Sequence, residues 1–362
     1  MAKGKVAVAL SGGVDSSAAA LLLREAGHEV VGIHGCLWGS PFSERQAHQA
    51  ESICRILNIP FHAIDLQREF ERYVVDYFCQ EYKRGQTPNP CVACNQHIKF
   101  GSVLTKALSM GADYLATGHY AGIECLEDGY HLLKAKDRNK DQSYFLYGLN
   151  QERLRYILFP LASYSKAEVQ EVAREGGLPL AAKPSQDICF ISQKHYHAFL
   201  GRRFPSLPGD IVDTQGKILG QHYGIAFCTV GQRHGLGLAA GKPLYVVRIE
   251  PEQNGIVLGG ENELYSRQVA VRELNWIADA MPSGPVSVMA RIRYKSREAA
   301  AALFPEPDST TVCFSRPQRA VTPGQAIVFY RGEEVLGGGI IENSQLQTLE
   351  KGRESYVAAS EL

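Results

Sequence analysis

The sequence predicts an α/β fold: a doubly wound parallel sheet in its first two hundred residues, then small β-rich modules. Three observations carry the prediction. Apolar runs of strand length alternate four times with amphipathic runs of helix length, the pattern of parallel strands joined by crossover helices. The first run ends in Ser11-Gly12-Gly13, a glycine turn that feeds straight into a helix. From Gly209 onward helical periodicity fades, and short β-rich runs separated by glycine turns replace it.

Lys5–Leu10 reads as a short buried strand, and Ser17–Ala26 as a helix that Gly27 ends. His28–Ile33 is a second strand, with His34–Trp38 as its exit loop. Ser43–Leu57 carries Ala47, Ala50, Ile53, Cys54 and Leu57 on one stripe, a helix that Pro60 closes. Phe61–Leu66 is a third strand, followed by a helix over Glu69–Lys83. Residues 86–95 read as too rich in proline to be helical. Ile98–Met110 is another helix, and Tyr114–Thr117 a fourth strand leading into Gly118. Ile123–Lys136 reads as a hairpin turning at Glu127-Asp128-Gly129. Ser165 and Glu168 have the spacing of a capping box for a helix that Gly176-Gly177 ends.

The β-rich runs are Asp210–Val212, Tyr245–Ile249, Gly255–Leu258, Val269–Val271, Val286–Arg293, Thr310–Phe314, Ala326–Tyr330 and Val335–Ile341. The expected units are residues 1–205, 206–268 and 269–362, with a polar, peripheral stretch from Asn343. Lysine plus arginine equals aspartate plus glutamate at 38 each, which argues against a generally sticky nucleic-acid binder but leaves room for a local basic groove. Neither a membrane span nor a signal-peptide pattern is visible, so a cytoplasmic monomer is expected. Nine scattered cysteines in a long chain are not a disulfide framework.

Chemistry enters at Ser11-Gly12-Gly13-Val14-Asp15-Ser16-Ser17. Strand, glycine turn and helix expose backbone N–H groups at a helix N-terminus, where the dipole favours an anionic phosphate. The loop lacks both Gly-Lys-Ser/Thr and G-x-G-x-x-G, so it is neither of the two common nucleotide loops. It resembles the pyrophosphatase loop (PP-loop) of ATP pyrophosphatases, which implies an adenine nucleotide alpha-hydrolase-like fold and cleavage of ATP between its α- and β-phosphates. The ends of the second and fourth strands, at Gly35 and Gly118, lie on the same edge of such a sheet and are expected to complete the nucleotide site.

Cys91-x-x-Cys94 alone is compatible with redox chemistry, with no function, or with zinc, although a structural zinc site wants four ligands and no fourth is evident beyond His97, which is near in sequence. The motifs SGGVDSS, TPNPCVACN, ATGHYA, KDQSYFL and SQDICF occur in that order. Together with GQRHGLGL at 231–238 and RIRYKS at 291–296 they resemble the tRNA-specific 2-thiouridylase family over nearly the whole chain. That resemblance implies ATP-dependent 2-thiolation of the wobble uridine in tRNAs for lysine, glutamate and glutamine. It implies Cys94 as nucleophile, Cys189 as the carrier of a persulfide sulfur, and a disulfide between the two. Ala9, Leu10, Ser11, Gly12, Gly13, Val14, Asp15, Ser16, Gly35 and Gly118 match the ATP contacts. Asn89, Pro90 and Cys91 match contacts to the target base, and His119, Lys140, Asp141, Gln142, Arg293, Tyr294 and Gln325 match tRNA contacts. Cys91 stands where some relatives carry aspartate, and Gly35 where some carry methionine.

A uracil oxygen is a poor leaving group, and adenylation turns it into AMP, with Mg²⁺ neutralising the departing pyrophosphate. A persulfide or thiolate then attacks C2. The sulfur donor is expected to be a cysteine desulfurase or sulfur-relay protein. An alternative route places an iron–sulfur cluster on Cys91, Cys94 and Cys189. The other readings are a different PP-loop adenylating ligase and an RNA-binding module with a degenerate loop. Arg291, Arg293, Lys295 and Arg297 alternate as if on one face of a strand, a candidate RNA surface. The stretches 86–96 and 183–192 are expected to be mobile loops that order on tRNA docking.

Overall fold

A computed structural model describes residues 3–39, 41–179, 188–191, 196–238, 241–278, 281–306 and 310–342. Most of the stretch Lys183–Cys189 and the polar tail from Asn343 fall outside the described residues.

In chain order, the N-terminal part runs β1 (Lys5–Ala9), α1 (Val14–Glu25), β2 (Glu29–Cys36), α2 (Pro41–Leu57) and β3 (Phe61–Asp65). Two long helical runs follow: α3 (67–83), wound as a π-helix over Glu71–Asp76, and α4 (90–109), wound as a π-helix over Cys94–Val103. Then come β4 (Tyr114–Thr117), the hairpin β5 (Ala121–Leu126) and β6 (Gly129–Lys134), β7 (Ile157–Leu158) and α5 (Lys166–Glu175). The parallel sheet has the order β3-β2-β1-β4-β7. β1 is central, and Val6, Ala7 and Val8 are wholly buried, as a parallel strand covered on both faces must be. Chain direction of travel reverses between β1 and β4, so the crevice at their carboxyl ends is the switch point where such sheets bind ligands.

The helix α6 (Tyr196–Arg203) leads to a four-stranded sheet of β8 (Gly209–Asp213), β9 (Ile218–His222), β10 (Tyr245–Glu250) and β11 (Gly255–Gly259). The last part consists of β12 (Tyr265–Trp276), β13 (Val286–Arg291), β14 (Ala299–Pro305), β15 (Thr310–Arg319), β16 (Ala326–Arg331) and β17 (Glu334–Ile341). Pairing of β12 with β17 closes these six strands into an antiparallel barrel, which removes their free edges. β17 also pairs with β6, so the hairpin of the N-terminal part extends the barrel sheet. One core cluster is continuous from Ala7, Ile33 and Leu115 through Phe70, Phe78 and Phe100 to Ala326, Val328 and Tyr330 of β16. Tyr144 is fully buried in it, and its hydroxyl donates to the Ala326 carbonyl at 2.8 Å.

Three expectations are corrected and a fourth is met. Residues 90–93 are helical, because proline is tolerated at the first helical position, where its missing N–H costs nothing. Cys91 and Cys94 therefore sit at the start of a helix, not in a loop. β2 runs on to Cys36, so Gly35 lies inside the strand, beside Ile64 of β3. β13 ends at Arg291, and residues 292–297 form a turn, so Arg291, Arg293, Lys295 and Arg297 do not share a strand face. The capping box of α5 is present, with Glu168 N–H donating to Ser165 Oγ at 3.3 Å and Ser165 N–H donating to the Glu168 carboxylate at 2.6 Å.

Candidate active site

The loop after β1 is built to bare its backbone. Gly12 has φ +78°, a conformation that side chains resist, and Gly13 is the N-cap of α1. Ser17 Oγ donates to the Gly13 carbonyl at 2.8 Å and Ser16 Oγ to the same carbonyl at 3.1 Å. Ser11 N–H donates to Ser16 Oγ at 3.2 Å. These bonds fix the turn, while the first N–H groups of α1 have no intrahelical acceptor and point out of the helix end. Ser11 is exposed at the rim; Leu10 and Val14 anchor the loop in the core, continuous with Ala9 at the end of β1.

Asp15 lies in the first turn of α1. Its Oδ1 accepts from the Tyr120 hydroxyl at 2.8 Å and from Lys166 Nζ at 2.5 Å. Lys166 opens α5, so one carboxylate ties α1 to α5 and to the segment after β4. Gly118 binds the other side of the loop. A Cβ there would lie 2.6 Å from the Ser16 backbone nitrogen and 2.7 Å from the Asp15 carbonyl carbon. Only glycine lets the β4 exit press against the helix start.

His119 follows. It is buried between Phe100 and Phe159 with ring centroids at 5.7 and 5.9 Å. One ring nitrogen, Nδ1, is 2.7 Å from Thr117 Oγ1, and Nε2 is 3.3 Å from Lys99 Nζ. Burial first, and Lys99 second, hold its pKa well below the ordinary histidine value, so the ring is neutral. An ammonium can only donate, so Nε2 accepts from Lys99 and Nδ1 carries the proton toward Thr117. With both nitrogens engaged, a base or phosphate contact from this side chain requires Lys99 to move away.

Asn89 is the N-cap of α4; its side-chain oxygen accepts from Cys91 N–H at 3.2 Å, with Pro90 next at the first helical position. Cys94 is buried and Cys189 is exposed, in the turn held by the Ile188–Ile191 bridge; both are free thiols. Burial pushes the Cys94 thiol up to about 12, with Lys99 opposing and Cys189 and Cys91 adding to the rise. Although Cys189 presents surface to solvent, the atoms crowded around its thiol desolvate it and push it up to about 11, with Cys91 raising it further and Lys99 lowering it. Cys91 thus raises both Cys94 and Cys189, and Lys99 opposes the rise at both. Among the described residues no three histidine, cysteine or acidic side chains converge closely enough to hold a metal ion. His97 instead stacks on Tyr73 at 5.0 Å.

The residues expected at tRNA lie where the N-terminal part meets the barrel. Lys140 is exposed. Asp141 is buried and works inward: it accepts from Ala135 N–H at 2.9 Å and Ser143 Oγ at 2.8 Å. Gln142 accepts from Tyr120 N–H at 3.0 Å. Arg293 is half-buried; its guanidinium donates to the carbonyls of Arg319 and Ala320. Tyr294 packs on Phe145 at 4.5 Å between ring centroids. Gln325 Nε2 donates to the Thr87 carbonyl at 2.7 Å, which docks a barrel loop on the segment just before Cys91. Lys99, Thr117, Tyr120 and Lys166 are the participants that sequence reasoning missed. Tyr120 is in the ATGHYA motif and Lys99 follows Cys94 by five residues, but Lys166 meets Asp15 across 151 positions and no local signal marks it.

Three family models cover the chain: "tRNA methyl transferase HUP domain" matches residues 4–193, "tRNA methyl transferase PRC-barrel domain" 197–260, and "Aminomethyltransferase beta-barrel domain" 266–341. Among curated relatives, the tRNA-specific 2-thiouridylase MnmA 1 of Syntrophus aciditrophicus is 47% identical over 94% of this chain and 94% of its own length. The tRNA-specific 2-thiouridylase MnmA of Acetivibrio thermocellus is 47% identical over 94% of this chain and 100% of its own. That of Moorella thermoacetica is 46% identical over 93% and 99%.

Proposed function

The chain belongs to the tRNA-specific 2-thiouridylase family, and on that footing we propose that it converts the wobble uridine of tRNAs for lysine, glutamate and glutamine to 2-thiouridine, as a sulfur-group transferase that consumes ATP. One observation carries this reading beyond the relatives' names. Gly118 presses on the phosphate loop while the adjacent His119 lies 3.3 Å from the amine of Lys99, on the same helical run that carries Cys94. Phosphate-binding and sulfur-bearing groups are thereby linked through a single tripeptide, Thr117-Gly118-His119. A methyl transfer, the reaction in the family models' descriptions, has no use for a phosphate loop joined to a thiol pair.

In this reading the bared N–H groups at Ser11–Ser16 hold the β- and γ-phosphates. Asp15 braces the loop through Lys166 and Tyr120. A Mg²⁺ ion would supply charge neutralisation for the departing pyrophosphate, with Asp15 the carboxylate that the loop sequence places nearest to it. The uridine C2 oxygen attacks the α-phosphorus, the α–β phosphoanhydride bond breaks, and pyrophosphate leaves. The terminal sulfur of a Cys189 persulfide attacks C2, and AMP departs with the C2–O electron pair. The Cys94 thiolate then attacks the Cys189 sulfur. The S–S bond breaks toward the sulfur now on C2, which leaves 2-thiouridine and a Cys94–Cys189 disulfide for an external thiol to reduce. The persulfide comes from a cysteine desulfurase or sulfur-relay protein.

The target base must leave the anticodon stack to reach the thiols. Asn89 and Cys91, half-buried on either side of buried Pro90 at the start of α4, are where it would approach, and Lys140, Lys295 and Arg297 are exposed cations for the RNA backbone. The units 1–205, 206–268 and 269–362 belong to the same proposal as catalytic, central and tRNA-contacting parts. The test is AMP release from α-labelled ATP with unmodified lysine tRNA and a persulfide donor, followed by nucleoside analysis. AMP and 2-thiouridine formed in equal amounts support the reading; AMP formed on a different acceptor makes the chain another adenylating ligase.

A further inference from the structure

We propose that Gln325 acts on the reaction from within the fold: with Pro323 and Thr229 it positions the strap that carries Asn89, Pro90 and Cys91, so that the barrel and the four-stranded sheet together aim the start of α4. This deepens the thiolase reading and rests on it. The strap is the connection between α3 and α4, and three successive residues of it are held from outside the N-terminal part. A Cβ on Gly85 would stand 2.7 Å from Ile249 Cγ2 of β10, so the four-stranded sheet presses on the strap there. Gln86 Oε1 accepts from Arg272 of β12 at 3.2 Å. Thr87 is held three times. Its N–H donates to the Pro323 carbonyl at 2.8 Å, its carbonyl accepts from Gln325 Nε2 at 2.7 Å, and its hydroxyl lies 3.3 Å from Thr229 Oγ1. The polar groups of this one residue are thus satisfied by partners far along the chain.

The barrel side of this contact is itself fixed. Gly324 N–H donates to the Ile341 carbonyl at 2.8 Å, and Ile341 N–H to the Gln325 carbonyl at 2.8 Å, which ties the turn to β17. A Cβ on Gly324 would stand 2.8 Å from Thr87 N and 2.9 Å from Gln86 Cβ, so glycine alone allows the approach. The strap side passes displacement on. Pro88 and Pro90 are buried; each fixes its own φ and restricts the residue before it, so Thr87 to Pro90 is a stiff run. Asn89 stands inside that run and caps α4 by accepting from Cys91 N–H at 3.2 Å. A shift of Thr87 therefore moves the residues where the base approaches instead of being absorbed before them. The resemblance puts Gln325 at the RNA; the hydrogen bond puts its amide nitrogen on Thr87. Gln325 is thus a positioning residue that acts through the start of α4.

The experiment reads amide hydrogen exchange over residues 85–96 in the free full-length chain by mass spectrometry. Beside it stand the tRNA dissociation constant and the single-turnover rate of 2-thiouridine formation at saturating tRNA. Wild type is compared with Gln325→Met, which keeps the stem and removes the donor, with Gln325→Glu, which sets a carboxylate against the Thr87 carbonyl, and with Thr229→Val, which removes the hydroxyl partner. Each is checked for its melting temperature. Losing a hydrogen bond of ordinary strength is expected to speed exchange over 85–96 about fivefold in the Gln325 variants and to leave α1 unchanged. Misplacing the residues where the base approaches is expected to lower the single-turnover rate about tenfold, with the tRNA dissociation constant held within about twofold. Thr229→Val is expected to move exchange and rate in the same direction, and it carries the test if neither Gln325 variant folds. Unmoved exchange in the folded variants overturns the proposal. So does a raised dissociation constant with an unchanged rate, which makes Gln325 an RNA contact. Exchange is measured without tRNA or ATP: a wild type that forms no 2-thiouridine defeats the thiolase reading, whereas unmoved exchange defeats this one.

Discussion

Replacing Gly118 by alanine tests how the nucleotide site is assembled. The added methyl would stand 2.6 Å from Ser16 N, 2.7 Å from the Asp15 carbonyl carbon and 2.9 Å from its oxygen, about 0.8 Å short of ordinary contact at the nearest atom. All three are backbone atoms, so no side chain can swing aside. Either the first turn of α1 or the β4 exit must retreat. Overpacking of this kind costs about 1–3 kcal/mol. The functional cost is larger, because the same shift misplaces the N–H groups that grip phosphate, and a displacement of about 1 Å can lower a rate by about a hundredfold. The assay is tRNA-dependent pyrophosphate release together with urea unfolding. Gly201→Ala, where a Cβ meets nothing within 4 Å, is the control for any glycine-to-alanine change. Gly118→Ala is expected to lose activity far beyond its loss of stability. An alanine variant with wild-type ATP turnover would refute the idea that Gly118 seats the loop.

Two further predictions concern how the barrel is held. Glu81 is buried and pairs with Arg272 of β12 at 2.9 Å and with Arg84 at 3.1 Å; Glu81→Ala removes this bridge and leaves Arg272 with Glu273 as its acid, and is expected to cost about 2 kcal/mol, read as a lower urea midpoint. His131 of β6 bonds to Glu334 of β17 at 2.6 Å and to Asp128 at 3.0 Å, and hydrogen bonds to these two carboxylates raise its pKa. A raised histidine stabilises the fold fully below its unfolded value of about 6.5 and loses that contribution as pH rises through the folded value. Wild type should therefore exceed His131→Gln in stability at about pH 6 and converge on it at about pH 9; a constant gap across that range contradicts the assignment.

Much of the N-terminal part was legible because its strands are local apolar runs and its loops are glycine turns at strand ends. Legibility failed where neighbours far along the chain decide. Ala299–Pro305 contains a run of alanines and has no strand signature, yet it is β14, because β13 and β15 flank it and supply both ladders. Pro90 was read as a helix breaker, although at the first helical position it is a helix starter. No sequence pattern announces a π-helical turn, so the winding of Cys94–Val103 is not legible in the spacing of its residues. At the tRNA-matched positions the chain's own packing intervenes. Asp141 and Gln325 are engaged in hydrogen bonds within the fold, an inward role that a motif shows no better than an outward one.

The most direct test loads the protein with isotopically labelled persulfide sulfur on Cys189 and follows a single turnover with unmodified lysine tRNA and ATP, without added reductant. The account predicts that the label appears in 2-thiouridine, that one AMP and one pyrophosphate form per label transferred, and that peptide mapping finds Cys94 joined to Cys189. Label reaching the tRNA from a Cys94→Ser variant at the wild-type rate, or leaving Cys189 without ATP, would contradict it.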